Sequence, residues 1–448
     1  MGRTKKEQPK QDSTSTSTSA LPDIKTTKKE DLFRYYNQVL NHDDTKRSQN
    51  DICTPIECIQ EMLDKLPPSI WQQRGIAALD PCCGAGNFHA AIYWRLIEAG
   101  ANQDEALKSL HFNDLNQDRI NHVKSIYKTC EGAGGSITCQ DFLDPDYTPK
   151  VEPDLIVANP PYAKLMKSGE RASKNHNMIA AFVEKSLNLV KPGGFLVFIT
   201  PDNWMSFADR NHLIGQLTEL QIHHLDIHSA KRHFPKVGSS FTWYVIQKCP
   251  AYKDITVSGI WKSKPYCGQV RSQERRFIPL LYDSTVQSIV EKTLDLPITE
   301  PRFQVQTSSD LHRYTKAEWI RDQKSTTHPY RLIHTPKQTA WASRPHKYQS
   351  GYKVFISLTD RYQVFIDHDC GMTQSIAFIT CDDRPKDAEI IKGILDHPLY
   401  VFLNNICRWG NFNNVRILQN FPIPRDPQDI YGSFGINEEE QQYIKLHL

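Results

Sequence analysis

The segment Asn159-Pro160-Pro161-Tyr162 carries the most specific chemical pattern in the chain, directly after the apolar run Leu155–Ala158. Two consecutive prolines exclude helix and fix a rigid turn. The turn offers two oxygen acceptors, the Asn159 side-chain amide and the Pro160 main-chain carbonyl. Acceptors so placed beside the hydrogens of a conjugated amine stabilise the positive charge that develops when its nitrogen attacks an electrophile. Tyr162 adds a flat face for stacking a base.

A glycine-containing loop separates an apolar strand from a helix earlier in the chain. Its residues are Asp80, Pro81, Cys82, Cys83, Gly84, Ala85 and Gly86. The glycines allow a close approach of the backbone to a ligand. The dinucleotide pattern G-x-G-x-x-G is not completed, because residue 89 is His. An acidic side chain here would repel a pyrophosphate, whereas it suits a cationic ligand such as the amino group and sulfonium of S-adenosylmethionine.

The next two predicted strands also end in residues that could bind a nucleoside. Asp114 ends one strand, and Asp141 and Phe142 follow the other. Asp114 can accept hydrogen bonds from both ribose hydroxyls, Asp141 from an adenine amino group, and Phe142 can pack against the ring. Since ligands bind at the carboxyl ends of strands in parallel sheets, the order of these residues after Asp80 predicts an S-adenosylmethionine site.

Strand-like and helix-like segments alternate through this part of the chain. The predicted strands are residues 76–79, 110–113, 136–138, 155–158, 195–200 and 240–247, and the predicted helices include 88–99 and 178–190. This alternation predicts an α/β fold with a parallel, doubly wound, Rossmann-like sheet. An earlier helix is predicted to start with Thr54 as N-cap, Pro55 as its first residue and Glu57 closing a capping box.

Composition divides the chain into three predicted parts. Residues 1–30 are a polar tail expected to be disordered, 31–250 form the catalytic domain, and 251–448 form a second domain of mixed α+β structure. Within it, residues 311–361 contain ten Lys and Arg against three acids, interleaved with Tyr and Trp, whereas 362–448 contain seven against twelve. Such a basic, aromatic segment indicates contact with a nucleic acid, with cations on phosphates and some on base edges in the major groove. The candidate DNA-binding residues are Arg313, Lys316, Arg321, Arg331, Lys337, Arg344 and Lys347.

Bulk properties set limits on location. The 448 residues carry a net charge of only +3, and no apolar run reaches the length of a membrane span or signal peptide. Eleven cysteines form no C-x-x-C pair, which predicts free thiols and no metal site. We expect an intracellular protein, cytoplasmic or nucleoid-associated, with a nuclear location open for a eukaryotic host. The oligomeric state is left open.

A target base inside a duplex could reach the proline turn only if it were flipped out of the stack. Unstacking must be offset by aromatic contacts on both faces of the base. Tyr162 would supply one face. Phe234, followed by Pro235, is the candidate for the other face, and Phe241 is the alternative.

Taken together, these motifs resemble those of the gamma-type, TaqI-like, adenine-specific DNA methyltransferases of restriction-modification systems. The resemblance is clear from about residue 50 to 250. It implies that Thr54-Pro55 and the loop after Asp80 hold the methionine moiety, and that Asp114, Asp141 and Phe142 hold the nucleoside. It further implies that Asn159, Pro160, Pro161 and Tyr162 bind the target adenine, with Phe234 on its other face, and that a target-recognition domain follows.

Other functions share parts of this pattern. Release-factor glutamine methyltransferases and some RNA adenine methyltransferases resemble it at the same tetrapeptide, because an amide and an adenine amine pose the same electronic problem. A non-catalytic DNA-binding subunit on a methyltransferase fold is a further alternative, disfavoured by the intact acidic residues. A fused restriction nuclease is not expected, because about 50 residues before the first motif are too few for one.

Overall fold

The computed structural model describes residues 21–39, 53–162, 177–207, 212–235, 240–359 and 361–448. Among these residues, no helix is both long enough and apolar enough to cross a bilayer. The tail at residues 1–20 lies outside the described ranges.

A nine-stranded sheet forms the centre of the molecule. Its strands are β1 (Ala78–Asp80), β2 (Leu110–Asp114), β3 (Ser136–Cys139), β4 (Leu155–Ala158), β5 (Phe195–Pro201), β6 (Leu220–Ile227), β7 (Phe241–Pro250), β8 (Ile255–Trp261) and β9 (Lys264–Val270). They are ordered β3-β2-β1-β4-β5-β7-β6-β8-β9. The first five in this order are mutually parallel, and β7 lies antiparallel between β5 and β6. The carboxyl ends of β1 to β6 therefore meet at one edge.

Helices cover this sheet, as the predicted alternation requires. They are α1 (Lys29–Val39), α2 (Ile56–Leu63), α3 (Ser69–Gln72), α4 (Asn87–Glu98), α5 (Gln103–Lys108), α6 (Gln117–Ile126), α7 (Cys130–Ala133), α8 (Asn177–Leu189) and α9 (His212–Thr218). Every residue of β1, β2, β4 and β5 is buried. Such continuous burial is what a sheet with helices on both faces produces.

The remainder of the chain contains two smaller sheets and six helices within the described residues. The helices are α10 (Ser284–Glu291), α11 (Pro385–Leu395), α12 (Pro398–Ile406), α13 (Val415–Gln419), α14 (Ile430–Ser433) and α15 (Glu438–His447). The strands are β10 (Gln306–Thr307), β11 (Ile320–Arg321), β12 (Tyr330–Thr335), β13 (Gln338–Ala342), β14 (Tyr352–Ser357), β15 (Val364–His368), β16 (Gly371–Met372) and β17 (Ile376–Asp382). One sheet has the order β10-β17-β14-β15 and the other β11-β13-β12-β16. The predicted class, a Rossmann-like sheet followed by a mixed α+β region, is confirmed.

Two predicted boundaries differ from the structure. Residues 21–30 do not belong to a disordered tail, because Ile24 is buried and its N–H donates to the carbonyl of Ile126 at 3.1 Å. The central sheet also extends beyond residue 250, since β8 pairs with β6 and β9 pairs with β8. The sheet continues into β8 because its residues Ile255 and Val257 are buried, and their apolar side chains need the sheet as a packing surface. The division into two functional domains stays a prediction.

Candidate active site

The loop after β1 turns sharply into α4 through two glycines. Gly84 and Gly86 have φ values of +55° and +87°, in the left-handed region that favours glycine. A Cβ on Gly86 would lie 3.1 Å from the ring of Tyr127 and 3.3 Å from that of Phe112. A Cβ on Gly84 would meet nothing within 4 Å. One glycine therefore allows close packing, and the other leaves the backbone facing open space.

Two carboxylates support this loop. Asp80 is buried and accepts from the N–H of Cys82 at 3.1 Å. Asp114 accepts from the N–H of Gly84 at 2.9 Å and lies 3.5 Å from the guanidinium of Arg119. Burial, and then the negative charge of Asp114, raise the pKa of Asp80 well above its usual range. A cation bound here would lower the free energy of the ionised Asp80.

Side chains that the sequence analysis did not identify fix the same loop from outside. The Tyr36 hydroxyl of α1 donates to the carbonyl of Ala85 at 3.2 Å, and the Tyr127 hydroxyl donates to that of Gly86 at 2.8 Å. Asn113 Nδ2 donates to the carbonyls of Pro81 at 3.1 Å and of Gln140 at 3.0 Å. Asn113 thus ties the loop after β1 to the loop after β3.

The two residues after β3 that are predicted to bind the cofactor adenine differ in their exposure to solvent. Asp141 is exposed, and its side chain accepts from the N–H of Leu143 at 2.9 Å. Phe142 is buried and stacks on Phe182, with ring centroids 5.1 Å apart, and contacts Tyr147 edge-on. The carboxylate is therefore accessible to a ligand, whereas the ring is part of the core beside it. Their contacts with the cofactor adenine stay predictions.

The proline turn after β4 meets both the glycine loop and the segment before α2. Asn159 Nδ2 donates to the hydroxyl of Thr54 at 3.1 Å. Asn159 Oδ1 accepts from the hydroxyl of Tyr162 at 2.7 Å. The carbonyl of Asn159 accepts from the thiol of Cys82 at 3.7 Å. The structure thus brings together residues separated by about 100 positions in the sequence.

The predicted N-cap of α2 is wrong. Helix α2 begins at Ile56 with Pro55 as its N-cap, and Pro55 makes no side-chain capping hydrogen bond. Asn37 of α1 takes the capping role, because its Oδ1 accepts from the N–H of Ile56 at 3.1 Å and its Nδ2 donates to Glu57 at 2.6 Å. This leaves the hydroxyl of Thr54 available to bind Asn159.

Three aromatic rings lie beside the turn. Phe241, the first residue of β7, has its ring centroid 6.1 Å from that of Tyr162 and 4.9 Å from that of Phe234. All three side chains are buried, with exposed fractions of 7% or less. Phe241 therefore contacts both Tyr162 and Phe234, the two rings predicted to form opposite walls of a base pocket.

The seven predicted DNA-binding cations fall into two groups. Three arginines form ion pairs at 2.8 Å, Arg313 with Asp322, Arg331 with Asp367 and Arg344 with Asp310. Arg321 donates to the carbonyls of Ala317 and Ile320. The lysines, which are Lys316, Lys337 and Lys347, are exposed. Exposed Tyr314 and Trp319 lie in the same segment, as predicted from its composition.

The basic segment also contains one cation that points inward. Lys353 is only 1% exposed, and its ammonium donates to the carbonyls of Ser350 at 2.8 Å and Gly351 at 2.9 Å. Burial lowers its pKa. This lysine stabilises a turn, so the net charge of the segment overstates the charge that it presents to solvent.

The sheet order, with one antiparallel strand inserted beside the parallel ones, and the glycine loop at its edge define the S-adenosylmethionine-dependent methyltransferase fold. Residues 89–229 match the family model described as Eco57I restriction-modification methylase. The predicted resemblance to a restriction-modification methylase is confirmed over this region. The cofactor prediction, S-adenosylmethionine, is confirmed by the same family match and fold.

One curated relative supports this result. The chain is similar to the Type II methyltransferase M.VspI of Vibrio sp. (strain 343), with 26% identity over 172 residues. The similarity covers 36% of this chain and 40% of that protein. The chain therefore matches less than half the length of this relative.

Solved structures with the same fold include both parts of the chain. A DrdV–DNA complex aligns with a TM-score of 0.54 at 11% identity, over 94% of this chain and 60% of that one. The Type IIL restriction-modification enzyme MmeI in complex with DNA aligns with a TM-score of 0.52 at 10% identity, over 88% of this chain and 76% of that one. At such low identity, the likeness shows the fold alone.

The residues at the glycine loop fit S-adenosylmethionine by their own geometry. The open space at Gly84 provides room for a ligand against the backbone. Buried Asp80 would provide negative charge for the positive groups of the cofactor, and Asp114, at the end of the adjacent parallel strand, would provide an acceptor for its ribose hydroxyls. Among the described residues, no group of three or more His, Cys, Asp or Glu could hold a metal ion.

Proposed function

We propose that the chain is a DNA methyltransferase of restriction-modification type that methylates the N6 amine of a flipped-out adenine. The observation that carries this proposal is the placement of Asn159. Its amide is held between the hydroxyls of Thr54 and Tyr162, and its carbonyl contacts Cys82 in the glycine loop. The acceptor for a target amine thus lies beside the cofactor loop, as methyl transfer requires.

The hydrogen bonds of Asn159 support its role as an acceptor. Because Thr54 binds Nδ2, the amide oxygen is directed to the other side. That oxygen accepts from the hydroxyl of Tyr162, and a carbonyl oxygen can accept from more than one donor because it has two lone pairs. The carbonyl of Pro160 would accept from the second amine hydrogen. Two acceptors favour a more tetrahedral nitrogen and stabilise its developing positive charge.

S-adenosylmethionine, when bound, supplies the methyl group as an electrophile activated by its sulfonium. In this chain, the segment Thr54-Pro55 and the loop Pro81–Gly86 would hold the methionine moiety, with Asp80 facing its positive charge. Asp114 would bind the ribose hydroxyls, and Asp141 the adenine amino group. Phe142 would support this end of the site from the core.

Aromatic residues would hold the target base after it leaves the stack. Tyr162 would contact one face of the base and Phe234 the other, with Phe241 packed against both rings. Their burial provides an apolar environment, and base–aromatic stacking contributes about 1–3 kcal/mol per base. This offsets a flipping cost of a few kcal/mol.

We infer that the DNA partner is bound mainly through the segment 311–361. The DrdV and MmeI structures, which align with both parts of the chain, are in complex with DNA. Exposed lysines and aromatic residues favour phosphate and base contacts. The arginines that form ion pairs would need to exchange an acidic partner for a phosphate. An enzyme acting on chromosomal DNA would work inside the cell.

The experiment is to incubate the protein with isotopically labelled S-adenosylmethionine and duplex DNA, and to identify the methylated nucleoside by mass spectrometry. Parallel reactions contain RNA and a release-factor protein. N6-methyladenine in the duplex supports the proposal. Label in RNA or in glutamine would replace it with one of the alternative methyltransferase functions, and cofactor binding without any transfer would indicate a non-catalytic subunit.

Asn159→Ala tests the assigned role. We expect the methylation rate to fall by at least about 100-fold, as when one preorganised transition-state contact is removed, while the Kd for S-adenosylmethionine changes less than about threefold. Asn203→Ala is the matched control, because Asn203 is an exposed asparagine following the neighbouring strand β5. Activity near that of the wild type in Asn159→Ala would contradict the assignment.

A further inference from the structure

His228 has a backbone conformation that is unusual for its residue type. Its φ is +73°, in the left-handed region that side chains other than glycine rarely adopt. It lies directly after Ile227, the last residue of β6, at the same edge of the sheet as the proline turn. A strained residue of this kind persists only where surrounding contacts hold it, and such residues concentrate at functional sites.

The contacts that hold His228 come from two other strands. Its Nε2 lies 2.7 Å from the carboxylate of Asp202, which is buried directly after β5. Its backbone N–H donates to the carbonyl of Phe241, the first residue of β7, at 3.0 Å. Because β7 lies between β5 and β6, the His228 side chain bridges over the start of β7.

This bridge fixes both segments that carry the aromatic rings. Phe241 is bound through its backbone, and the 3-10 turn Ser229–His233, which begins after His228, leads directly to Phe234. The rings of Phe234 and Phe241 are in contact, and Phe241 contacts Tyr162. A continuous series of contacts therefore connects His228 to the proline turn, although His228 has no part in the proposed transfer chemistry.

We infer that Asp202 and His228 are positioning residues that hold Phe234, directly and through Phe241, for stacking on the flipped base. The inference rests on the proposed function, since it assigns the pair to the target-base side of the same site. The strained backbone lets the His228 side chain turn back across β7 toward Asp202. Loss of the bridge should therefore affect base flipping and transfer, and leave the cofactor side unchanged.

The variant His228→Gly removes the side-chain bridge to Asp202 and at the same time relieves the backbone strain. Glycine adopts the left-handed conformation without strain, which offsets part of the stability lost when buried Asp202 loses its hydrogen-bond partner. We expect its single-turnover methylation rate to fall at least tenfold, with a Kd for S-adenosylmethionine within twofold of the wild type. The fluorescence of 2-aminopurine, placed at the target position found by sequencing methylated DNA, should also rise less on binding.

Two substitutions of the acid provide the matched comparison. Asp202→Ala should reproduce the defect, whereas Asp202→Asn keeps an oxygen acceptor for His228 and should restore the rate to within about threefold of the wild type. A wild-type rate in His228→Gly, or an Asp202→Asn variant as defective as Asp202→Ala, would overturn the inference while wild-type methylation stands. A wild-type protein that does not methylate adenine would overturn the proposed function, and the inference with it.

Discussion

The glycine-loop end of the central sheet and the basic segment 311–361 use their charged residues in different ways. At the glycine loop, buried Asp80 and Asp114 bind backbone N–H groups. In the basic segment, Arg331 and Arg344 are paired with acidic side chains from other parts of the region. Arg119 lies 3.5 Å from Asp114, so the negative charge left for a ligand to neutralise is mainly that of Asp80, whereas the basic segment has already neutralised much of its positive charge.

The difference shows which kind of sequence evidence locates a site. A residue at the carboxyl end of a parallel strand is placed by topology, because all such ends meet at one edge. A count of cations contains no information on their partners. Strand-end position therefore predicts a location, while charge composition predicts only a region.

The largest expected change in cofactor affinity is at Asp80. Asp80→Asn keeps an acceptor for the Cys82 N–H but removes the negative charge. We expect the Kd for S-adenosylmethionine to rise about 10- to 100-fold, as for loss of a charged hydrogen-bond partner. Isothermal titration measures this change. An unchanged Kd would mean that the charge of Asp80 does not contribute to cofactor binding.

The same substitution has a pH-dependent effect on stability. Burial raises the pKa of Asp80 in the folded protein, so the folded state binds more protons than the unfolded state between the two pKa values. The free energy of unfolding therefore falls as pH rises through that window. Asp80→Asn should remove this pH-dependent fall in the free energy of unfolding. The variant should therefore melt at a higher temperature than the wild type at pH 8, with little difference at pH 3.5. A lower melting temperature at pH 8 would contradict the assigned cost of burial.

The two glycines of the loop offer a matched pair of intermediate size. Gly86→Ala should lower the free energy of unfolding by about 1–3 kcal/mol, because it adds both left-handed strain and close contacts with Tyr127 and Phe112. Gly84→Ala adds strain alone and should cost about 1 kcal/mol, but its methyl group would enter the space assigned to the cofactor. Chemical denaturation and cofactor titration measure the two effects. Equal cofactor affinity in Gly84→Ala and the wild type would place the ligand elsewhere.

The smallest effects are expected in the basic segment, where exposed lysines and ion-paired arginines should differ in their contribution to DNA binding. Replacing Lys316, Lys337 and Lys347 with Ala should reduce the slope of log affinity against log salt by up to about 3, roughly 1 per lost phosphate contact. Arg331→Ala should change the slope by less than about 1 and cost under 1 kcal/mol of stability, because its ion pair is partly exposed. A larger slope change for Arg331 than for the three lysines together would mean that the ion-paired arginine is the main phosphate contact.

Much of the fold could be predicted from local patterns. The strands ending at Asp80, Asp114 and Ala158 follow from short apolar runs, and their polar ends meet as parallel topology requires. The sequence does not predict the contact of Thr54 with Asn159, because the residues around a helix start favour Thr54 as the N-cap and the resemblance places it only at the cofactor. Asn37 provides that cap from another helix, and no local pattern identifies it.

The supporting side chains of the site could not be predicted for the same reason. Tyr36, Tyr127 and Asn113 act through hydrogen bonds to main-chain carbonyls that lie at least 27 residues away in the sequence. Such bonds depend on tertiary placement and have no characteristic spacing. The side-chain bridge between Asp202 and His228 also depends on tertiary placement, since it needs three strands to be in register first.

The sheet β10-β17-β14-β15 separates two hydrophobic layers. This affects which segment could be exchanged between relatives to change the DNA sequence that is recognised. On β14, Val354 and Ile356 face the main core that is shared with the central sheet. Phe355, between them, faces a small separate cluster that includes Ile333 and Met372. Residues 308–351 leave this sheet after β10 and return at β14, so they form an outer cassette. Swapping that cassette between relatives should preserve the main core, although the new residues would have to fit Phe355 and Met372 in the small cluster, whereas a cut at residue 250 would divide both the central sheet and the main core.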